Sequence, residues 1–193
     1  MNKNNKIVLL LALIAGFCGL SIIGGLCYTH YTQTHYQQDI YDYNPARDEI
    51  DIHQLIKNNW HWLIASHEYY FKDKIDFILN NMAPNSHEPR YFGKLKIKVM
   101  RTESQFIGFV AYYKKSFYVG QVLFLAVDEK YRGKRFAQTL LDSALSALKE
   151  DGCQLARLTT RTTNLKAQSV YKRAGFTEYE RDEGYVYYEK KLV

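Results

Sequence analysis

The sequence predicts a mixed α/β domain preceded by one membrane-spanning helix. Three patterns carry that expectation. Ile7 to Tyr28 is an apolar run broken only by Ser21 and by Gly16, Gly19, Gly24 and Gly25. Leu95, Ile97 and Val99 alternate with Lys94, Lys96 and Lys98, the period-two signature of a half-buried strand. Phe136, Leu140, Leu141, Ala144, Leu145 and Leu148 trace one face of a helix, with Gly152 as its stop.

The apolar run comes first along the chain. At ~1.5 Å per residue it spans roughly 33 Å as a helix, enough for the hydrocarbon core of a bilayer. It has no polar face, as a helix packed on a soluble core would. Lys3 and Lys6 also resemble the start of a signal peptide, but no A-x-A cleavage site follows and the apolar stretch is long. An uncleaved anchor over residues 1–28, contacting the lipid bilayer through residues 7–28, is therefore expected, with a polar linker over 29–38. His30 and His35 in that linker lack partners at metal-ligand spacing.

The folded domain is expected over 39–193. Asp39 to Tyr43 reads as a first strand ending before Asn44-Pro45. From Asp48, the positions Ile50, Ile52, Leu55, Ile56, Trp60 and Leu63 approximate a helical stripe, and Ile75, Phe77, Ile78 and Leu79 a second helix ended by Pro84. After a turn-rich stretch come the Leu95–Val99 strand and two more, Phe106–Tyr113 and Tyr118–Val127. The Phe136 helix, a strand around Leu155 and Leu158, a helix from Leu165 to Ala174 and strands at 176–181 and 184–191 complete the order β-α-α-β-β-β-α-β-α-β-β.

Composition narrows the function. The chain has 193 residues, 47% of them apolar and 15% aromatic, which suits a packed core. Its formal charge is +6; without Lys3 and Lys6, 24 basic residues face 20 acidic ones. That surplus is too small and too scattered for a nucleic-acid partner. Cys18 and Cys27 fall within the apolar run, so Cys153 stands alone in the domain and forms no internal disulfide. It follows Asp151-Gly152 at a turn, where packing is the expected role.

The chemistry is concentrated where Val122–Val127 ends and Arg132-Gly133-Lys134-Arg135-Phe136-Ala137 opens a helix. A strand, a basic turn and a helix N-terminus form an anion site, because the first helical amides lack acceptors and the dipole adds positive charge. The spacing is neither that of a Walker A loop nor that of a dinucleotide fingerprint. Arg132–Ala137 resembles the R/Q-x-x-G-x-G/A pyrophosphate signature of the GNAT acetyltransferase superfamily. Asn164-Leu-Lys-Ala-Gln-Ser-Val-Tyr171-Lys-Arg-Ala-Gly175-Phe176, which begins 27 residues beyond Ala137, resembles that family's second signature.

The resemblance implies a GNAT-like, mostly antiparallel central sheet with helices on both faces, and acetyl-CoA as cosubstrate without a metal. It implies that Leu125, Ala126 and Val127 present free amides to the pantetheine arm. Arg132, Gly133, Lys134, Arg135, Phe136 and Ala137 would bind the pyrophosphate, and Asn164 would contact the arm while capping its helix. Tyr171 would protonate the departing thiolate. Arg135 departs from the family pattern, which usually has a second glycine there.

No general base is identifiable. Strand Tyr118–Val127 offers Gln121 but no acid, and His67, Glu68 and Glu103 are candidates elsewhere. The implied acceptor is a primary amine, on a small molecule or a protein, met by residues 48–81 and the last hairpin. There Tyr69, Tyr70, Tyr185, Tyr187 and Tyr188 suit an aromatic groove and hairpin packing equally. Arg135 and the missing acid keep open a second reading, a membrane-anchored acyl-CoA-binding module without turnover. The sequence leaves a homodimer open. Lys3 and Lys6 place the N-terminus in the cytoplasm and the domain outside it. A cytosolic cosubstrate argues the opposite, and a cytoplasm-facing domain is expected.

Overall fold

The structure is a computed structural model that describes residues 39–63, 75, 76, 79 and 95–192. The expected anchor, signal peptide and linker, with Cys18, Cys27, His30 and His35, lie outside the described residues. Among the described residues no helix is long and apolar enough to cross a membrane.

The described elements are strand β1 (Asp39–Asp42), helix α1 (Pro45–Asn58), the one-turn helix α2 (Trp60–Leu63), β2 (Lys96–Arg101), β3 (Phe106–Lys114) and β4 (Val119–Val127). A 3-10 turn, Glu129–Tyr131, leads into α3 (Phe136–Glu150), β5 (Leu155–Arg161), α4 (Leu165–Arg173), β6 (Thr177–Arg181) and β7 (Tyr185–Lys191). The strands form one seven-stranded sheet in the order β1-β2-β3-β4-β5-β7-β6, antiparallel except where β4 meets β5.

Two helices sandwich the sheet because its interior strand β3 is apolar on both sides. In β3, alternate residues feed two cores: Ile107, Val110 and Tyr112 pack with Leu140, Leu141 and Leu148 of α3, while Phe109, Ala111 and Tyr113 pack with Ile52, Leu55 and Ile56 of α1. Period-two and period-3.6 stripes meet face to face, which is what confines each helix to its side.

Helix α1 starts earlier and stops sooner than its apolar stripe suggests. Asn44 caps it, its Oδ1 accepting from Ala46 N–H at 3.0 Å, and Pro45 fills the first turn where no amide partner is needed. Its buried face is Asp48, Ile52, His53, Leu55 and Ile56, so Ile50 points away and is 84% exposed. The break falls at Asn59, which closes α1 with its own N–H and amide group and then opens α2. Of the expected second helix, Ile75, Asp76 and Leu79 are helical, with Ile75 and Leu79 buried, and the remainder lies outside the described residues.

Buried tyrosines make the fold alkali-sensitive. Burial, aided by Glu49, Asp48 and Asp76, pushes the Tyr43 phenol up to about 12; burial, with Tyr188, pushes Tyr171 up to about 12. Unfolded tyrosines titrate near ~10. The folded state therefore keeps protons that the unfolded chain releases, so this stability is present below pH ~10 and is lost as pH rises toward ~12. The urea midpoint should fall between pH ~9 and ~11, and should fall less in Tyr171→Phe; an unchanged midpoint would contradict the assignment.

Candidate active site

The sheet opens between β4 and β5. Only Val119, Gly120 and Gln121 pair with Leu155, Ala156 and Arg157; beyond them β5 pairs with β7 alone. From Val122 to Val127 the β5-facing edge of β4 therefore has no strand partner, and its amides are available to a ligand. Two local features turn β4 aside. Ala111 pairs with Phe124 and Tyr112 with Val122, so Leu123 is an extra residue, a bulge that bends the strand. Further along, Gly108 of β3 lies so close to β4 that a Cβ there would sit 2.3 Å from the Ala126 carbonyl oxygen.

At the open end of β4 stands the basic turn. Arg132, Gly133, Lys134 and Arg135 are all exposed, whereas Phe136 is buried in the core under α3. Thr139 is the first residue of α3 whose N–H reaches a carbonyl of the helix start, that of Arg135 at 3.2 Å. The amides of Phe136, Ala137 and Gln138 precede it without an intrahelical acceptor. No side chain caps them, since the capping position is Arg135 itself. Three free amides at the positive end of a 15-residue helix fit a pyrophosphate.

Gly133 and Arg135 both have positive φ, 82° and 65°. The turn thus requires the left-handed conformation at both positions, and Arg135 adopts the backbone that a glycine would, its side chain lying out in solvent. A non-glycine residue there costs about 1 kcal/mol. Arg135→Gly should raise thermal stability by a few tenths to about 1 kcal/mol, the looser unfolded chain offsetting part of the gain. A fall in melting temperature would show that the Arg135 side chain, and not the backbone, governs this position.

Arg132 is differently employed from its neighbours. Its N–H donates to Glu129 O at 3.2 Å, its Nε to Val127 O at 3.0 Å and its Nη2 to Asn59 Oδ1 at 2.8 Å. It ties the turn to β4 and α1, contacts that the sequence did not indicate. Behind the turn, the Tyr131 hydroxyl donates to Gln105 Oε1, and the Lys130 and Lys134 ammonium groups flank the Tyr131 ring at 5.0 and 5.7 Å from its centroid.

The second motif closes the other wall. Asn164 caps α4, its Oδ1 accepting from Ala167 N–H at 3.2 Å, so the side chain's NH2 group is left for another partner. About two turns on, Tyr171 is 8% exposed and packs against Phe176 and Tyr188, ring centroids 6.2 and 6.0 Å away. Its hydroxyl has no hydrogen-bond partner among the described residues. Tyr188 is held by Gln168, whose Oε1 accepts from its hydroxyl at 3.4 Å and whose Nε2 donates to the carbonyls of Arg161 and Thr162. A buried phenol with a raised pKa and a free hydroxyl is a donor that stays protonated at neutral pH.

The remaining candidates divide. Gln121 spends its amide on Val122 O at 3.3 Å, and Glu103 is exposed in the β2–β3 turn. His67, Glu68, Tyr69 and Tyr70 lie outside the described residues. Tyr185 and Tyr187 are on the last hairpin, where Tyr187 donates to Asp182. Cys153 is buried two residues before β5, and burial pushes its thiol up, so it packs. The group Glu49, His53 and Asp76 brings ligating atoms within 4.8 Å, but His53 Nε2 lies 2.7 Å from Asp76 Oδ1. That is an ion-pair distance; ligands sharing a tetrahedral zinc stand ~3.3 Å apart.

The family model described as Acetyltransferase (GNAT) family matches residues 50–176, about two thirds of the chain. The chain belongs to this family. Among curated proteins, N-alpha-acetyltransferase 30 of Xenopus laevis is 38% identical over 69 residues, and N-alpha-acetyltransferase MAK3 of Arabidopsis thaliana is 35% identical over 62. These matches take in 36% and 32% of this chain but only 25% and 33% of those proteins. Among solved structures, Ard1 from Thermoplasma volcanium superposes with a TM-score of 0.62 at 22% identity, covering 81% of this chain and 98% of that one. A GNAT family acetyltransferase from Elizabethkingia anophelis with acetyl-CoA bound gives 0.59 at 13%, covering 80% and 97%. The structural likenesses establish the GNAT fold for residues of this domain.

Proposed function

We propose that this GNAT domain transfers an acetyl group from acetyl-CoA to a primary amine, with the α-amino group of a peptide or protein as acceptor. The observation that carries the reading is the unpaired β4 edge ending at the three free amides of α3. It provides one continuous row of donors for an extended amide-bearing arm and its pyrophosphate. The acceptor class is supported by the N-alpha-acetyltransferases among the relatives.

Bound acetyl-CoA supplies an activated thioester. The amides of Leu125 and Val127, which alternate with the β3-facing amide of Ala126, orient the arm, and one directed at the thioester carbonyl stabilises the charge that develops on its oxygen. Phe136, Ala137 and Gln138 hold the pyrophosphate through backbone N–H groups, and Asn164 adds its NH2 group to the arm. As the C–N bond forms and the C–S bond breaks, Tyr171 protonates the leaving sulfur as general acid, while the acylated nitrogen gives up its proton to solvent, which in turn reprotonates the phenolate. A phenol near 12 is a weaker acid than a free thiol near ~8.5, so transfer depends on the same burial raising the thiolate as well.

Arg135 no longer favours a binding module without turnover, because its backbone already takes the conformation the turn needs. Calorimetry with acetyl-CoA and desulfo-CoA, paired with an amine-panel assay, separates the two. Binding with acetylation is expected; tight binding without turnover on any amine would leave the module, and no binding would remove both. We further propose that residues 7–28 anchor the chain in a bilayer with the domain facing the cytoplasm. Protease should digest the domain on sealed vesicles whose cytoplasmic face is outward; digestion only after lysis would place it on the other side.

A further inference from the structure

The two walls of the β4–β5 opening each send one arginine to the same short helix. From the cofactor turn, Arg132 Nη2 reaches Asn59 Oδ1 at 2.8 Å; from the end of β5, Arg161 Nε reaches the His61 carbonyl at 2.8 Å. Asn59 is the joint between α1 and α2. Its N–H donates to the Leu55 and Ile56 carbonyls, its Nδ2 donates to Leu55 O at 2.8 Å, and its own carbonyl accepts from Trp62 and Leu63 N–H. Its Oδ1 faces Arg132.

A four-residue helix cannot hold itself, since its few internal bonds do not offset the cost of nucleation. Apolar packing helps: Trp60 and Leu63 lie against the same core as Leu123, the bulge residue of β4. The Arg161 guanidinium also stacks toward the Tyr185 ring of the last hairpin, 5.5 Å from its centroid. Helix α2 is thereby fixed on one side to the pyrophosphate turn and on the other to β5 and the hairpin.

We infer that Arg132 and Arg161 are positioning residues that hold α2 beside the opening and set the geometry of the acceptor site. This inference rests on the proposed acetyl transfer. It assigns to Arg132 a task distinct from phosphate binding, and it gives Arg161 a role that neither sequence signature includes. Each guanidinium also has the planar fork needed to serve a carbonyl and a second group at once, which a lysine cannot reproduce.

The molecule carries its own reporter, because its two tryptophans, Trp60 and Trp62, are both in α2. Arg161→Met in the full chain should red-shift the tryptophan emission. It should also raise KM for a peptide bearing a free α-amino group by about tenfold or more, with acetyl-CoA affinity by calorimetry within about twofold of wild type. Arg132→Met should shift the emission likewise, and Arg132→Lys should recover only part of the loss. Emission and peptide KM both unchanged in Arg161→Met would overturn the inference. A red shift with unchanged KM would overturn it too, reducing the pair to a role in stability. Absence of turnover in the wild-type chain would count against acetyl transfer; the emission maxima of the variants would then decide the pinning of α2 alone.

Discussion

Tyr171→Phe should lower turnover about a hundredfold, the scale of a lost general acid, while acetyl-CoA affinity stays within about twofold. The ring is buried between Phe176 and Tyr188, so phenylalanine fits the same space and the substitution removes only the hydroxyl. That hydroxyl has no partner among the described residues, so its loss strands no buried group and costs little stability. Because burial, with Tyr188 second, holds the phenol at about 12, Tyr171 stays protonated across the working range. Its titration should add no descending limb to the rate profile below pH ~10. Stopped assays of kcat and calorimetry of acetyl-CoA on the purified variant check both halves. Unchanged kcat would remove Tyr171 from the chemistry, and a limb near pH ~9 that disappears in the variant would contradict the raised pKa.

Gly108→Ala should have a larger effect on the fold than any other single methyl addition described here. A Cβ at 108 would stand 2.3 Å from Ala126 O and 3.0 Å from Val127 Cα, both backbone atoms of β4 at the mouth of the opening. Backbone cannot rotate away as a side chain can, so β4 must move. The Asp128 N–H bond to Ile107 O and the register of Leu125–Val127 move with it. A loss of about 3 kcal/mol or more in stability is expected, with acetyl-CoA affinity falling at least tenfold. Gly120→Ala is the control. There the three atoms nearest the Cβ would all belong to the Leu148 side chain, the closest at 2.5 Å, where β4 still pairs with β5. It should destabilise by about 1–3 kcal/mol and leave acetyl-CoA affinity near wild type. Urea denaturation and calorimetry measure the two quantities; a Gly108→Ala protein that binds acetyl-CoA normally would show that the β3–β4 approach does not shape the site.

Most of the fold was legible because its signals are periodic. The Leu95–Val99 alternation and the Phe136–Leu148 stripe each name a burial face directly, and β2 and α3 form there. The α1 stripe misled at Ile50 and across Asn59, where a side-chain amide and a distant arginine decide where the helix ends. Local spacing carries no trace of a partner 73 positions away. Of the candidate site, the backbone geometry was legible: Gly133 sits in a turn that needs positive φ, and a helix with free first amides follows it. Arg135 looked like a departure because identity shows and φ does not. Arg132 stands out in the sequence by its charge, and its hydrogen bonds to Val127 O and Asn59 Oδ1 leave no mark there. Gly108 and Arg161 were missed because their importance lies in what stands opposite them across the sheet.

Acetyl transfer is tested by incubating the full chain with acetyl-CoA and peptides bearing free α-amino groups. Released CoA thiol and the intact mass of each peptide are then measured. Acetyl transfer predicts one acetyl group on the α-amine for each thiol released, with both signals reduced together in Tyr171→Phe. Acetyl-CoA bound tightly but no peptide, lysine or small amine modified would contradict it.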